Sequence, residues 1–366
     1  MGEYILNINT RVIHRPIVVE EKRINFEEDT KVDKSMTLRI LYQFNEKYAP
    51  YAGTAITSVF ENNKDTMEII VYILGENLSK QSCEKFQKLG KQYGRKIVFK
   101  ETSALIQQMK EWGLPSYRGS YAANIRLFLP MFLEEDVERI LYMDADTVVA
   151  DSLEELFQID MGEYALAMAL DSLGYQHKLD IGMQEEDAYY NSGVILFHMQ
   201  NWKKKQCTER IIQHVRESDI TYTSPDQDLL NVVCKEDILC LMPKYNMQPV
   251  HLAFSVRTYF ACYPGEAYYT EKQIQDSLNK TCIYHFFRFL GEFPWNKGNV
   301  HPDNSIFDQY LQLSPWKGYK KVSAESTIAM KIEKILYKIL PKGLFLRIFE
   351  KAHHLYIRRK AEIAKS

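Results

Sequence analysis

Apolar runs alternate with amphipathic stretches along the first part of the chain. Residues 38–42, 67–74 and 96–100 are short and mostly apolar, which predicts strands of a parallel sheet that is covered on both faces. Residues 48–62 and 78–93 carry apolar side chains near helical spacing and predict helices between those strands. The order strand, helix, strand, helix, strand is typical of a doubly wound α/β sheet.

The same pattern continues beyond residue 100 and predicts one large α/β domain. A small polar step, Asn191-Ser192-Gly193, stands ahead of one later apolar run, and its glycine predicts a close approach of the backbone to a ligand. The later elements that we predict are helices over residues 121–129, 201–215 and 224–231, a helix start at 151–156, and strands over residues 140–143, 163–170 and 194–198.

Two carboxylates, Asp144 and Asp146, stand at the end of the apolar run 140–143. Residues two apart in a strand point to the same face, so the pair could bind one divalent cation together with substrate phosphates. A strand end followed by a turn also attracts aspartate for local hydrogen bonds, and the pair alone does not decide between these explanations. Because the sequence has no Gly-x-Gly-x-x-Gly or Walker loop, a nucleotide at this edge would depend on a metal.

Three further positions carry candidate chemistry. Arg126 lies among apolar residues and needs an anionic partner, either a carboxylate of the acid pair or a phosphate. Asp226 and Asp228 suit the first turn of a helix because of its dipole, which does not explain Gln227 between them. His285 stands in an aromatic run, where it is either a buried core histidine or a third ligand in a mixed oxygen and nitrogen site that suits Mn²⁺.

Composition narrows the class of protein. The 366 residues are 46% hydrophobic and 26% charged with a net charge of −2, which is typical of a folded protein, and we expect no nucleic-acid partner. The six cysteines are scattered without a Cys-x-x-Cys pair, so a zinc or redox motif is not expected. The first residues do not resemble a signal peptide, and no apolar run reaches the roughly 18 residues of a membrane span, which predicts a cytoplasmic location.

The charge balance changes near the end of the chain. Residues 317–366 hold 13 lysines or arginines against 4 acids. We predict a helix here with the apolar face Ile328, Ile332, Ile335, Leu336 and Ile339, and a second helix from residue 344 with a basic segment at 358–360. Basic amphipathic helices suit an anionic membrane surface, and the alternative is that both helices pack on the core or on another subunit.

These observations divide the chain into three predicted regions. Residues 1–36 form an N-terminal extension, residues 37–316 the large α/β domain that carries the candidate site, and residues 317–366 a basic helical tail. Binding of the tail to anionic lipids would place the protein peripherally at the inner face of the plasma membrane.

Six short motifs occur in one order at predicted strand and helix ends. They are Tyr-Ala-Pro-Tyr at 48–51, Arg-Leu at 126–127, Leu-Tyr-Met-Asp-Ala-Asp at 141–146, Asn-Ser-Gly-Val at 191–194, Asp-Gln-Asp at 226–228 and His-Phe at 285–286. Each is weak alone, but together they resemble glycosyltransferase family eight between about residues 38 and 295. That family contains retaining, nucleotide-sugar-dependent enzymes such as bacterial lipopolysaccharide galactosyl- and glucosyltransferases and, more distantly, glycogenin.

The resemblance implies a GT-A fold, with a doubly wound mixed sheet, that binds a UDP-sugar. It also implies a Mn²⁺ ion, or Mg²⁺ in its place, held by Asp144, Asp146 and His285 and bridged by the diphosphate. Gln227 matches the residue beside the anomeric carbon, on the face opposite the leaving group. The other residues that match family contacts with the donor are Asn45, Tyr48, Arg126, Ala145, Asn191, Ser192 and Asp226.

Three positions depart from the family pattern. Asn45 stands where the family usually has an aspartate that bonds uracil, and an amide can still bond the base edge. Phe293 stands where a lysine close to the diphosphate usually precedes Pro-Trp, so Arg288 or Lys297 would supply the positive charge. Residues 122–124 lack the Thr-Tyr that usually precedes the family arginine.

The resemblance therefore implies a hexosyltransferase that moves glucose or galactose from UDP to a glycan or lipid-linked acceptor with retention of configuration. Because a neutral amide such as Gln227 is a poor nucleophile, we favour attack by the acceptor on the face that the diphosphate leaves. Two other interpretations stay open. One is a metal-dependent sugar nucleotidyltransferase, which would usually have a glycine-rich phosphate loop after the first strand, and the other is a non-catalytic glycan-binding or scaffold relative.

Overall fold

The fold comes from a computed structural model that describes residues 36–117, 119–172, 175–184, 186–262 and 269–365. The predicted N-terminal extension lies outside these residues except for its last position. Nine β-strands occur in the described part of the chain. They are β1 (Thr37–Asn45), β2 (Glu68–Glu76), β3 (Lys96–Phe99), β4 (Arg139–Asp144), β5 (Thr147–Val149), β6 (Leu166–Leu170), β7 (Tyr190–His198), β8 (Ile238–Cys240) and β9 (Ile283–His285).

The strands form one mixed seven-stranded sheet and one small sheet. The large sheet has the order β3-β2-β1-β4-β7-β6-β8, and β5 pairs with β9 in the small sheet. Strands β1 to β4 run parallel, whereas β7 is antiparallel to both β4 and β6. The doubly wound mixed sheet predicted from the sequence is therefore confirmed.

Helices cover both faces of the large sheet. They are α1 (Ala49–Asn62), α2 (Lys80–Tyr93), α3 (Ser103–Glu111), α4 (Glu154–Phe157), α5 (Tyr175–Asp180), α6 (Met199–Lys204), α7 (Cys207–Glu217), α8 (Pro225–Val233), α9 (Pro249–Ala253), α10 (Val256–Cys262), α11 (Glu271–Asn279), α12 (Asn304–Leu313), α13 (Ile328–Ile339) and α14 (Lys342–Lys365). Among the described residues, no helix combines the length and the apolar composition that crossing a bilayer requires.

The strand order places the acid pair where the winding of the sheet changes direction. β1 pairs in parallel with β2 on one side and with β4 on the other, and Gln43 lies opposite Asp144 at the carboxyl ends of β1 and β4. The apolar residues 140–143 of β4 are buried, which fixes the strand in the core and leaves Asp144 half-buried at its end. Ligands of open α/β sheets bind at such a switch point.

The helix that carries Arg126 is a 3₁₀ helix. The sequence predicts a helix over residues 121–129, but Ala122–Met131 forms a 3₁₀ helix with a kink at Phe128. Pro130 lacks a backbone N–H and cannot continue an α-helix. The prediction of a helix is therefore confirmed, although its form is 3₁₀, and Arg126 is buried on this distorted turn.

Other differences occur at chain reversals and element ends. The helix predicted over residues 201–215 is interrupted at Gln206, whose φ of 52° is left-handed, so α6 and α7 are separate. The helix start predicted at residue 151 falls at Glu154. The polar step at residues 191–193 lies inside the buried strand β7 instead of ahead of it, because its side chains bond to neighbouring parts of the fold rather than to solvent.

The tail helices divide their apolar residues between two sides. Phe345 and Leu346 of α14 are buried, and Leu336 and Tyr337 of α13 pack against the core. The exposed apolar residues of the two helices are Ile328, Ile332, Ile335, Ile339, Leu344, Ile348 and Leu355. The described residues thus leave the predicted apolar face of α13 uncovered except at Leu336, while the basic segment 358–360 lies outside the side chains that the structure describes.

Candidate active site

Three side chains from separate parts of the fold converge beyond the end of β4. Asp144 ends β4, Asp146 follows in the turn to β5, and His285 ends β9, which pairs with β5. We call these three residues the metal cluster, since one ligand atom of each lies within 4.8 Å of the others. Nε2 of His285 is 3.4 Å from Oδ1 of Asp146 and 3.8 Å from Oδ2 of Asp144. Two carboxylates and an imidazole suit a divalent ion such as Mn²⁺.

Asp146 gives a physical reason for a cation at this point. Its Oδ1 is buried and has no hydrogen-bond partner among the described residues. A buried carboxylate oxygen without a donor is costly, and a bound cation would satisfy it. The backbone at this residue is well fixed, because its carbonyl accepts a hydrogen bond from the N–H of Phe286 (2.7 Å).

Gly193 of the polar step makes room for the imidazole of His285. A Cβ atom on Gly193 would lie 2.0 Å from Cε1 of His285, so a larger residue would displace the ring. The sequence predicts that this glycine lets the backbone approach a ligand, but the close neighbour in the structure is a protein side chain. The ring also makes a T-shaped contact with Phe287, with 5.0 Å between the ring centres.

The electrostatics of the metal cluster favour positive charge. Burial by itself lowers the pKa of His285, but the close approach of Asp146 and the charges of Asp146 and Asp144 outweigh it and raise the pKa above its usual value. A proton on the ring and a metal ion would compete for the same position, because a ligating histidine must be neutral.

Arg126 is buried and faces carboxylates. Its Nη2 donates to Oδ1 of Asp144 (3.1 Å), and its Nη1 lies 3.4 Å from Oδ2 of Asp226. Burial by itself lowers the pKa of this guanidinium, but Tyr142, Asp226 and Asp144 raise it above the usual value, so the charge is kept. Of the two partners that the sequence leaves open, a carboxylate or a phosphate, the structure supplies the carboxylate.

Ser192 joins Arg126 to the start of α8. Its carbonyl accepts from Nη1 of Arg126 (2.7 Å), and its hydroxyl donates to Oδ2 of Asp226 (3.0 Å). Its backbone N–H donates to Oε1 of Gln227 (3.0 Å). Burial raises the pKa of Asp226 above its usual value although the charge of Arg126 opposes that rise. The predicted residues of β7 and α8 therefore share one buried network with the acid pair.

The amide of Gln227 has a fixed orientation. Its Oε1 accepts from the N–H of Ser192, while its Nε2 donates to Oδ2 of Asp171 (3.2 Å) and to the hydroxyl of Tyr189 (3.1 Å). Asp171 also accepts from Nδ2 of Asn191 (2.9 Å). Asp171 is a member of the site that the sequence motifs missed. The available signal was its place directly after β6, at a strand end of the same sheet.

Asp228 serves the fold of this region. It is fully buried and accepts hydrogen bonds from the hydroxyl of Tyr189 (2.6 Å) and from the N–H of Ser224 (2.9 Å). Its Oδ1 also lies 2.8 Å from Nε2 of His177. Local hydrogen bonds and the helix dipole thus explain Asp228 in the first turn of α8. Asp226, in the same turn, instead faces Arg126.

The residues predicted to meet the nucleotide lie at the open side of the same sheet edge. Asn45 ends β1 and is exposed, and Tyr48 is half-buried with its ring edge-on to Trp295 at 6.2 Å. Ala145 is buried between the two acids. We call Asn45, Tyr48 and Arg288 the donor edge.

Arg288, one of the two candidates for the positive charge near the diphosphate, lies close to Tyr48 and Phe293. Burial raises the pKa of Tyr48, and Asp146 adds to that rise, whereas Arg288 lowers it, so Arg288 lies within electrostatic range of Tyr48 beside the metal cluster. The guanidinium lies 5.3 Å from the centre of the Phe293 ring. The phenylalanine that replaces the expected lysine therefore carries an arginine on its face.

Proteins with similar sequences include bacterial glycosyltransferases and a stress protein. The chain is 26% identical to the Lipopolysaccharide 1,2-glucosyltransferase of Escherichia coli strain K12, over 82% of this chain and 85% of that protein. It is 21% identical to the Lipopolysaccharide 1,3-galactosyltransferase of Salmonella typhimurium, over 84% of this chain and 87% of that protein. It is also 23% identical to General stress protein A of Bacillus subtilis, over 77% and 96% respectively.

A solved structure and a family model match the same region. The chain is similar to the galactosyltransferase LgtC, solved in complex with donor and acceptor sugar analogues, with a TM-score of 0.63 and 23% identity over 77% of this chain and 99% of that one. That likeness confirms the predicted GT-A fold. The model described as Glycosyl transferase family 8 matches residues 39–298, well over half of the chain. The chain therefore belongs to glycosyltransferase family 8, as the order of its motifs predicts.

Proposed function

We propose that this glycosyltransferase is a metal-dependent enzyme that transfers glucose or galactose from a UDP-sugar to a glycan or lipid-linked acceptor, with retention at the anomeric carbon. The observation that carries the proposal is the buried, unpartnered Oδ1 of Asp146 beside Asp144 and His285. The names of the relatives, which specify glucosyl and galactosyl transfer to lipopolysaccharide, support the class of sugar and acceptor. We assign this activity to residues 37–316.

Asp144, Asp146 and His285 are the residues that would hold the ion, either Mn²⁺ or Mg²⁺. When bound, the ion supplies Lewis-acid charge to the leaving diphosphate. One imidazole nitrogen in the donor set favours Mn²⁺, because Mg²⁺ prefers oxygen ligands alone. Since Arg126 is paired with Asp144 and Asp226, we assign it to holding these acids in place rather than to binding a phosphate.

For the reaction, we propose that the acceptor attacks on the face that UDP leaves. The bond between the anomeric carbon and the phosphate oxygen breaks, the bond to the acceptor oxygen forms, and the acceptor proton passes to the leaving phosphate. A double displacement would need a nucleophile on the opposite face. Gln227 is a neutral amide whose oxygen already accepts from Ser192, and Asp226 is ion-paired with Arg126, which weakens both as nucleophiles.

The charge that develops on the sugar needs negative partners. Oε1 of Gln227 and the carboxylate of Asp171 are fixed next to each other by the bond from Nε2 of Gln227 (3.2 Å). Preorganised oxygens of this kind stabilise positive charge in a transition state without further rearrangement. The donor contacts that complete the proposal are Asn45 and Tyr48 to the base, Arg288 to the diphosphate, and Ala145, Asn191, Ser192 and Asp226 to the sugar and its phosphates.

A donor screen tests this function and identifies the sugar. The protein is incubated with UDP-glucose, UDP-galactose and the corresponding ADP- and GDP-sugars, with Mn²⁺ or with a chelator, and nucleotide release is measured. We expect release of UDP from one of the two UDP-hexoses, its loss with chelator and its return with added Mn²⁺. Equal release in chelator would contradict metal dependence, and no release from any donor would favour a non-catalytic glycan-binding relative.

We also propose that the tail binds the anionic inner face of the plasma membrane, where a lipid-linked acceptor would be available. Ile332, Ile335 and Ile339 are exposed on α13, and the exposed Lys331 and Lys338 lie beside them. An apolar stripe bordered by lysines favours the interface of a bilayer that contains anionic lipids.

A surface substitution tests membrane binding better than deletion, because deleting the tail would uncover the core that Phe345 and Leu346 help to bury. The double variant Ile332→Ser and Ile335→Ser should sediment less with phosphatidylserine vesicles and keep its UDP release. Met67→Ser, at a residue 65% exposed outside the tail, is the control and should bind vesicles as the wild type does. Unchanged vesicle binding by the double variant would contradict the proposed role of the tail.

A further inference from the structure

Asn246 is a buried residue behind the metal cluster for which neither the motifs nor the proposed reaction accounts. It directly follows the 3₁₀ turn Pro243–Tyr245, and it is 1% exposed. The next residue, Met247, pairs with β9 through both its N–H (2.8 Å) and its carbonyl (3.0 Å). These bonds hold Asn246 beside β9, with its side chain between His285 and Asn191.

The orientation of the Asn246 amide, that is, which of its two end atoms is the oxygen, follows from neighbouring groups that can only donate or only accept a hydrogen bond. The N–H of Gly193 can only donate, so the atom of Asn191 that it meets at 3.0 Å is the oxygen Oδ1. The other end of Asn191 meets the carboxylate of Asp171, which accepts, and this gives the same assignment. Asn246 contacts Oδ1 of Asn191 at 2.9 Å and must donate to it through Nδ2. Oδ1 of Asn246 is therefore the atom that faces His285.

That amide oxygen determines which ring nitrogen of His285 carries the proton. Oδ1 of Asn246 lies 3.0 Å from Nδ1 of His285, and an amide oxygen can only accept, so Nδ1 is protonated. The lone pair of the neutral ring is then on Nε2. Nε2 is the atom that faces Asp146 and Asp144.

We propose that Asn246 is a positioning residue that fixes His285 as the Nδ1–H tautomer and thereby strengthens binding of a divalent ion at Nε2. The inference rests on the metal site proposed above and adds the residues that prepare it. A hydrogen-bond partner on the second nitrogen of a ligating histidine fixes the tautomer and the ring orientation and raises ligand basicity. The same chain of bonds reaches Asp171 through Asn191, so two buried amides, those of Asn246 and Asn191, connect His285 to Asp171.

Calorimetric titration of Mn²⁺ in the presence of UDP tests this role. Asn246→Ala removes the acceptor for the Nδ1 proton, and we expect Mn²⁺ to bind about 10–100-fold more weakly. Asn63→Ala is the matched control, since Asn63 is 3% exposed and bonds to Val59 and Leu153, neither of which belongs to the site. The control should lower the melting temperature and leave Mn²⁺ affinity unchanged. Equal Mn²⁺ affinity of Asn246→Ala and the wild type would overturn the proposal.

A second measurement needs neither a variant nor a metal. Nitrogen-15 NMR of the wild-type protein, above the pKa of the ring, distinguishes a proton on Nδ1 of His285 from one on Nε2. We expect the proton on Nδ1, and a ring protonated only on Nε2 would overturn the role of Asn246. This measurement tests the role of Asn246 separately from the proposed metal site. A wild type that does not bind Mn²⁺ would contradict the metal site, whereas the tautomer of His285 decides the role of Asn246.

Discussion

The metal cluster and the donor edge lie side by side but are held by different contacts. The metal cluster is surrounded by buried polar groups, with Asn246 bonded to His285 and Arg126 bonded to Asp144. The donor edge has aromatic neighbours, and two of its three residues are exposed. Fixed polar surroundings suit a metal site, because its ligands need the same geometry for every donor. Exposed side chains at the donor edge can instead vary among proteins that bind different nucleotides. Two positions that depart from the family pattern lie in this region: Asn45 belongs to the donor edge, and Phe293 lies beside it.

The largest expected effect comes from removing charge in the metal cluster. Asp146→Asn replaces the carboxylate that has the unpartnered buried oxygen, and we expect the rate of UDP release to fall by on the order of 100- to 1000-fold. Asp136→Asn is the control. The side chain of Asp136 is 77% exposed, and its ion pair with Arg39 is long, at 3.7 Å, so the substitution should change little. Turnover of Asp146→Asn close to that of the control would remove Asp146 from the site.

Crowding the imidazole should have the next largest effect. Gly193→Ala puts a methyl group where the ring of His285 lies, so we expect weaker Mn²⁺ binding and a loss of about 1–3 kcal/mol in unfolding free energy. Gly318→Ala meets no atom within 4 Å and should change neither quantity. Thermal denaturation and Mn²⁺ titration measure the two effects. Wild-type Mn²⁺ affinity in Gly193→Ala would show that the ring position does not control metal binding.

A smaller effect should show whether Arg288 or Lys297 supplies the positive charge near the diphosphate. Arg288→Ala removes a charge next to Tyr48, and we expect the KM for the UDP-sugar to rise about tenfold, as for the loss of one hydrogen bond to a charged group. Lys297→Ala should leave the KM within a factor of about two, because we assign the contact with the diphosphate to Arg288 and an exposed charge without such a contact contributes little. The opposite pattern would assign the diphosphate contact to Lys297.

The smallest effect is expected at the exposed end of β1. Asn45→Asp restores the residue type that the family usually has, and one hydrogen bond of about 1 kcal/mol corresponds to about a fivefold stronger preference for UDP over other nucleoside diphosphates. Competition of UDP, CDP and GDP against the donor sugar measures that preference. An unchanged preference would place the base away from Asn45.

The fold was predictable where local patterns decide it. The run 67–74 and the helix 78–93 correspond to β2 (Glu68–Glu76) and α2 (Lys80–Tyr93), because burial and helical spacing act over a few residues. The prediction of one helix over residues 201–215 failed because of a single backbone conformation, the left-handed φ of Gln206. A glutamine within a helical pattern gives no sign of such a conformation in the sequence.

The site was predictable where a motif carries the chemistry and not where long-range bonds do. The metal cluster combines three residues that the resemblance to the family already implied as ligands of one ion. Asn246 stands outside those motifs, and its partners Asn191 and His285 lie 55 and 39 residues away in the chain, so no local pattern connects them. Asp171 was missed for the same reason, since Asn191 lies 20 residues away and Gln227 lies 56.

Calorimetric titration of UDP into the wild-type protein, with and without Mn²⁺, tests the central claim most directly. We predict that UDP binds at least tenfold more tightly with Mn²⁺ than with chelator, as expected when the ion joins the diphosphate to Asp144, Asp146 and His285. The difference should disappear in Asp146→Asn. UDP affinity that is the same with Mn²⁺ and with chelator in the wild type would contradict a metal site at these residues.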